Sequence, residues 1–158
     1  MITRKREADL KKANNLFKKI ISVLKPPPKL TIDKWADNYR ILSSKTSAEP
    51  GRWNTDRVPF QREVMKAISD KQTEKVIMMY GAQLSKTELL LNTFGHHADY
   101  DPAPIMFLMP TQKMAEDFAT TRLNDMILST PQLKSKIIEN ETSRDTKTQK
   151  DFPGGYII

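Results

Sequence analysis

The sequence predicts an α/β fold in which helices flank a parallel sheet, preceded by an N-terminal amphipathic helix. Two apolar runs, at 76–80 and 105–109, have the length of strands, and we expect both to be buried on both faces. A helical pattern follows each run, and parallel strands need such a crossover between them. Two or three strands would leave the sheet poorly covered, so we interpret the domain as incomplete.

Composition places the chain among globular proteins. It has 158 residues, of which 38% are hydrophobic and 28% charged. No apolar run approaches the ~18–20 residues that span a bilayer, so we expect no membrane segment. The sequence contains no cysteine, which excludes disulfides and thiolate zinc sites and suits a reducing cytoplasm.

The net charge of +7 belongs to residues 1–30, which hold nine Lys and Arg residues against two acidic ones. Within this segment, residues 7–24 repeat apolar positions such as Phe17 at helical spacing, and Pro26-Pro27-Pro28 ends the pattern. A basic amphipathic helix suits an acidic partner or a phosphate backbone, and a solvated helix face is the alternative. We treat 1–30 as a helix and proline linker.

Residues 31–58 are predicted to form a short helix followed by a loop. We call this whole range the clasp. Thr31 is placed to cap a helix that ends near Arg40 and has apolar residues on one face. Residues 43–58 are rich in loop-forming residues, and we expect Trp53 to hold this loop against the body. The body, 59–158, begins with a helix from Pro59 to about Ser69.

Three further features lie in the body. Thr111 is expected to cap a helix after the second apolar run. Residues 152–158 resemble a turn entering a strand. His96 and His97 are interpreted as residues at the end of a helix and not as a metal site, because no cysteine or spaced carboxylate cluster accompanies them.

The segment between the first apolar run and the next helix has the pattern of a phosphate-binding loop. Backbone N–H groups at a helix start point at phosphate oxygens, and the helix dipole favours the negative charge. The ε-ammonium of the lysine then contacts the β- and γ-phosphates, and the following hydroxyl is a ligand of Mg²⁺. The segment predicts a P-loop NTPase-type sheet, with these loop residues as the site: Gly81, Ala82, Gln83, Leu84, Ser85, Lys86 and Thr87.

The match to the usual glycine pattern is imperfect, because Ser85 takes the final glycine position and Tyr80 the first. An ordinary strand–helix turn is therefore the alternative interpretation. About fifteen residues upstream of the first run, Gln61 offers an amide that both donates and accepts, as an adenine edge requires, and Phe60 offers a stacking face. The alternative is that Phe60 and Gln61 only belong to a helix that begins with proline, an aromatic residue and glutamine, which is a common way for a helix to start.

The order of several motifs resembles lambda-type phage terminase large subunits. The similarity covers nearly the whole chain. The blocks that carry it are Trp35-Ala36-Asp37 with the residues up to Leu42, Ser47 to Thr55 with its Gly51-Arg52-Trp53, Pro59 to Met65, Gly81 to Glu88, Pro110 to Glu116, and Phe152-Pro153-Gly154-Gly155.

The resemblance implies an ATPase that drives viral DNA into procapsids, with ATP and Mg²⁺ as cofactors. It assigns Lys86 a catalytic role at the phosphates, Thr87 the metal contact and Gln61 the adenine contact. It implies docking of the small terminase subunit through residues 1–30, contact with double-stranded DNA and the portal, homo-oligomers, and action in the cytoplasm of a bacterial host.

Two departures from the family pattern shape the expectation. Many terminases have an arginine within the loop where this chain has Gln83. No Asp-Glu or Glu-Glu pair follows a strand, so we expect a fragment with weak nucleotide binding and negligible turnover. The alternatives are an interaction module that docks the small subunit and a fragment of a superfamily-2 helicase.

Overall fold

The computed structural model describes residues 30–137 and 149–158, together with the isolated positions Asn14, Phe17 and Thr146. The predicted N-terminal helix and its partner-docking role therefore lie outside the described residues, except that Asn14 and Phe17 are helical and exposed.

Within these ranges the protein is a mixed fold of helices and short antiparallel strand pairs. The helices are α1 (Ile32–Tyr39), α2 (Phe60–Ser69), α3 (Lys86–Asp99), α4 (Gln112–Asp117), α5 (Asn124–Ser129) and α6 (Pro131–Ile137), with a 3₁₀ turn at Thr55–Arg57 and a π-helical segment, Phe118–Leu123, between α4 and α5. Strand β1 (Ile41–Leu42) pairs with β2 (Gly51–Arg52), and β3 (Lys150–Phe152) pairs with β4 (Gly155–Ile157).

The core forms where α1 crosses α3. Trp35 is fully buried there, and its indole N–H donates to Asp99 Oδ2 at 2.7 Å. The crossing is close because α3 carries Gly95, where an added Cβ would lie 2.5 Å from Trp35 Cζ3 and 2.6 Å from Met126 Cε. The predicted apolar face of α1 is confirmed.

Thr31 does not cap α1, although the sequence places it to do so. Its hydroxyl donates to Asp33 Oδ1, and the free N–H of Ile32 donates instead to Ser69 Oγ at 3.0 Å. The end of α2 therefore supplies the acceptor at the start of α1. The predicted cap at α4 is confirmed, because Thr111 Oγ1 accepts from the N–H of Met114.

The clasp is held as predicted, through Trp53. This side chain is buried, and its indole N–H donates to Thr55 Oγ1 at 3.0 Å. The backbone N–H of Trp53 donates to Arg40 O, and that of Thr55 donates to Asp37 Oδ1 at 2.7 Å. These bonds connect the loop to the end of α1.

The prediction of two strands buried on both faces is wrong in this structure. One face of each run is exposed: Ile77 is 75%, Met79 94%, Met106 66% and Leu108 87% accessible to solvent. No described element covers that face, and residues 76–80 have no ladder partner within the described ranges. A run without hydrogen-bonded neighbours does not form a strand.

The second run keeps part of the predicted parallel pairing. Ile105 N–H donates to Tyr156 O and Phe107 N–H donates to Ile158 O, both at 2.8 Å. Ile105 and Ile157 form a parallel bridge. Residues 152–158 are the predicted turn and strand, so this prediction is confirmed. A complete parallel sheet is not present within residues 30–137 and 149–158.

No described helix is long and apolar enough to cross a bilayer.

The C-terminal half of α3 carries a buried histidine. His96 Nε2 lies 2.6 Å from Leu30 O, which fixes the proton on Nε2, while Nδ1 is buried and has no hydrogen-bond partner among the residues that the structure describes. Burial lowers the pKa of His96 below its ordinary 6.5; the Leu30 carbonyl opposes this shift and the neighbouring His97 adds to it. The folded protein therefore resists protonation at Nδ1.

The lowered pKa of His96 leads us to predict that the free energy of unfolding depends on pH. Below pH ~6.5 the unfolded chain takes up a proton that folded His96 resists. Stability present at neutral pH is therefore lost on acidification, by at most about 1.4 kcal/mol per pH unit for one proton. Urea unfolding between pH 7.5 and 5.5 should show a shallower loss for His96→Gln than for wild type. His97→Gln removes only the smaller contribution of His97 to this shift, so it should keep most of the wild-type slope; equal slopes for all three would contradict the assignment.

Candidate functional site

The predicted phosphate loop, residues 81–87, lies between the extended run 76–80 and α3. Lys86 is the first residue of α3. The prediction that Lys86 and Thr87 begin a helix directly after a buried strand is therefore confirmed for the helix and wrong for the strand. Gln83 and Ser85 have positive φ values of 60° and 56°, in the left-handed region. That conformation costs a non-glycine residue about 1–2 kcal/mol and explains why the usual pattern has glycine at the position of Ser85.

Lys86 folds back over the loop. Its Nζ donates to Tyr80 O at 3.2 Å and to Gly81 O at 3.1 Å. The Thr87 side chain is exposed beside it. Residues 83–88, together with Arg122, line an open cavity of about 360 Å³. The lysine, the hydroxyl and the start of α3 therefore border one space.

Gln61 lies beneath the loop. It is fully buried, and its Nε2 donates to Ser85 O at 2.9 Å, while Oε1 accepts no hydrogen bond from the described part of the chain. The observed contact of Gln61 is therefore with the loop backbone, and its adenine contact stays a prediction. Phe60 is 46% exposed and meets the Tyr80 ring edge-on at 5.7 Å between centroids.

Arg40 holds the first turns of α3 from the other side. Its Nη1 donates to Glu88 O at 3.0 Å and to Asn92 Oδ1, and its Nη2 pairs with the Glu88 carboxylate. The guanidinium is buried and lies 4.8 Å from the centre of the Trp53 ring. Burial lowers the pKa of Arg40, and the charge and hydrogen bond of Glu88 act in the opposite direction.

A second cavity, of about 340 Å³, lies between the clasp and the phosphate loop. Apolar side chains of Leu42, Trp53 and Val58 line it, and Ser85 and Glu88 connect it to the phosphate loop. Sequence reasoning missed this cavity and missed Arg40 and Arg122. The signal for Arg40 was an arginine that ends an amphipathic helix, but its partners lie about fifty residues away.

The described residues contain no group of three His, Cys, Asp or Glu side chains that could hold a metal ion. The chemistry of the loop still fits Mg²⁺ that arrives with a nucleotide, because Thr87 offers a hydroxyl oxygen and the phosphates supply the other anionic oxygens.

Comparison with known proteins identifies the family. Residues 47–158 match the family described as phage terminase large subunit gpA, ATPase domain. The terminase large subunit of Escherichia phage lambda is 27% identical over 112 residues, and that of Enterobacteria phage P21 is 28% identical over the same length.

These matches cover 71% of this chain and 17% of each relative, so the chain spans about a sixth of the length of the curated relatives it matches. No solved structure matches. The family match extends over more than half of the chain and includes the whole phosphate loop. The chain therefore belongs to the phage terminase large subunits, and residues 47–158 belong to the ATPase domain of that family.

Proposed function

We propose that this chain is part of the ATP-driven motor that packages viral DNA into procapsids, and that residues 81–87 are its phosphate-binding loop. The observation that carries the proposal is the match of residues 47–158 to a terminase ATPase domain, with Lys86 folded over a cavity at the start of α3. We place these residues in a P-loop NTPase-type parallel sheet that further strands complete.

ATP would lie with its phosphates in the cavity of residues 83–88. The backbone N–H groups of the loop and the N-terminal end of the α3 dipole favour the anion. The ammonium of Lys86 would exchange two carbonyl acceptors for phosphate oxygens, and Thr87 would contact Mg²⁺. When bound, Mg²⁺ neutralises charge that develops on the phosphates.

The test is nucleotide binding by the 158-residue chain. In a fluorescence titration with Mg²⁺ and ATP, Lys86→Ala should weaken binding about ten- to a hundredfold, because a charge-assisted hydrogen bond contributes about 1.5–3 kcal/mol. Lys113→Ala removes an exposed lysine from the nearby helix α4 and should bind like wild type. Absence of saturable binding in wild type would refute the proposal and favour the non-catalytic interaction module.

Partners follow from the same proposal. Residues 1–30 would dock the small terminase subunit, since they carry the whole net charge and an amphipathic pattern. The motor would act on double-stranded DNA at the portal, as a homo-oligomer in the cytoplasm of a bacterial host. The terminase match favours this motor over a superfamily-2 helicase fragment.

A further inference from the structure

Arg122 lines the same cavity as the phosphate loop. It belongs to the π-helical segment between α4 and α5, and its exposed side chain borders the cavity that residues 83–88 form. Single π-turns inserted between α-helices occur frequently at functional sites. Two cationic side chains from separate parts of the chain, Lys86 and Arg122, therefore border one space.

The carboxylates near this space already have partners. The Glu88 carboxylate pairs with the buried Arg40. Asp125 Oδ2 accepts hydrogen bonds from the hydroxyls of Ser43 and Thr46. Within residues 30–137 and 149–158, Arg122 has no carboxylate within ion-pair distance.

The hydrogen bonding of Arg122 is correspondingly weak. Its Nη1 lies 3.5 Å from Thr46 O, at the outer limit of a hydrogen bond. A guanidinium has five donors in a planar fork that matches phosphate oxygens, so most of that capacity faces the cavity or solvent. The cavity thus offers positive charge from Arg122 in addition to that of Lys86.

We propose that Arg122 contacts the terminal phosphate of the bound nucleoside triphosphate, an inference that rests on the proposed ATP site. A phosphate loop cradles the α- and β-phosphates with its backbone N–H groups. Arg122 lines the same cavity but comes from a separate element, so the phosphate left for it to contact is the one that the loop backbone does not cradle, the terminal phosphate. A bidentate guanidinium–phosphate contact distinguishes the triphosphate from the diphosphate, which lacks the contacted group.

Competition titrations with ATP and ADP, in the presence of Mg²⁺, test this assignment on the 158-residue chain. Arg122→Gln should weaken ATP binding about tenfold and change ADP binding by less than about twofold, since the lost contact is to the terminal phosphate. Arg122→Lys should retain part of the preference for ATP. Lys86→Ala should weaken the binding of both ATP and ADP. Lys113→Gln should change the binding of neither nucleotide. Thermal unfolding should show that exposed Arg122→Gln folds like wild type.

The outcomes separate the two proposals. If wild type binds nucleotide and Arg122→Gln leaves ATP binding unchanged, or weakens ATP and ADP equally, the terminal-phosphate contact is wrong and the phosphate loop stands. If wild type binds neither nucleotide, the ATP site itself fails.

Discussion

Replacing Arg40 by leucine is expected to lower the free energy of unfolding by about 3 kcal/mol, at the lower end for breaking a buried ion pair because Glu88 is 24% exposed. The change leaves the Glu88 carboxylate and Asn92 Oδ1 without their buried donor. It also removes the contact between the guanidinium and the Trp53 ring, so Trp53 is no longer linked to α3 through Arg40. Urea unfolding followed by circular dichroism measures the loss.

Arg57→Leu is the matched control. Arg57 pairs with Glu49 on the surface, where the two side chains are 61% and 68% exposed. Pairs of that kind contribute about 0–1 kcal/mol, so the control should unfold close to wild type. Similar small losses in both variants would show that Arg40 does not hold α3. The free energy of unfolding of Arg40→Lys should lie between those of wild type and Arg40→Leu, because lysine keeps the positive charge but lacks the planar set of guanidinium donors.

Trp35→Ala is expected to cost about 4 kcal/mol, the range for removing a large buried aromatic side chain. The substitution empties the crossing of α1 and α3 and leaves Asp99 without its indole donor. Small domains are stable by about 5–15 kcal/mol, so a large share of the stability would disappear. A loss below about 2 kcal/mol in urea unfolding would contradict the packing described for α1.

A double-mutant cycle with Gly95 makes that test specific. Gly95→Ala alone should destabilise by about 1–3 kcal/mol, since the new methyl would overlap Trp35 and Met126. In the Trp35→Ala background the ring is absent, and the better helix propensity of alanine, worth about 1 kcal/mol, should offset much of the remaining cost. Additive losses would mean that the two residues do not share the same space.

The sequence predicted what depends on local chemistry. The apolar spacing of Ile32, Trp35 and Ala36 located α1, and the loop pattern located the start of α3 at Lys86. It failed where the outcome depends on distant neighbours. The exposure of Met79 and Leu108 depends on which other elements pack on the exposed face of the two apolar runs. The sequence of an apolar run does not show which elements those are.

The candidate site divides in the same way. Lys86 and Thr87 were recognisable because their proposed roles follow from adjacency in the chain. Arg40 and Arg122 were not, because their hydrogen-bond partners lie 48 to 76 residues away in the chain. The burial of Gln61 against Ser85 O is likewise a contact across 24 residues.

The two left-handed residues of the loop have an energetic consequence for any ligand. Gln83 and Ser85 hold backbone conformations that the isolated segment would rarely adopt. Gln61 holds the carbonyl of Ser85, and Arg40 holds that of Glu88 in the first turn of α3. The entropy of ordering the loop is therefore lost during folding. A phosphate that enters meets a preorganised site, so little of its interaction energy is offset by ordering the loop.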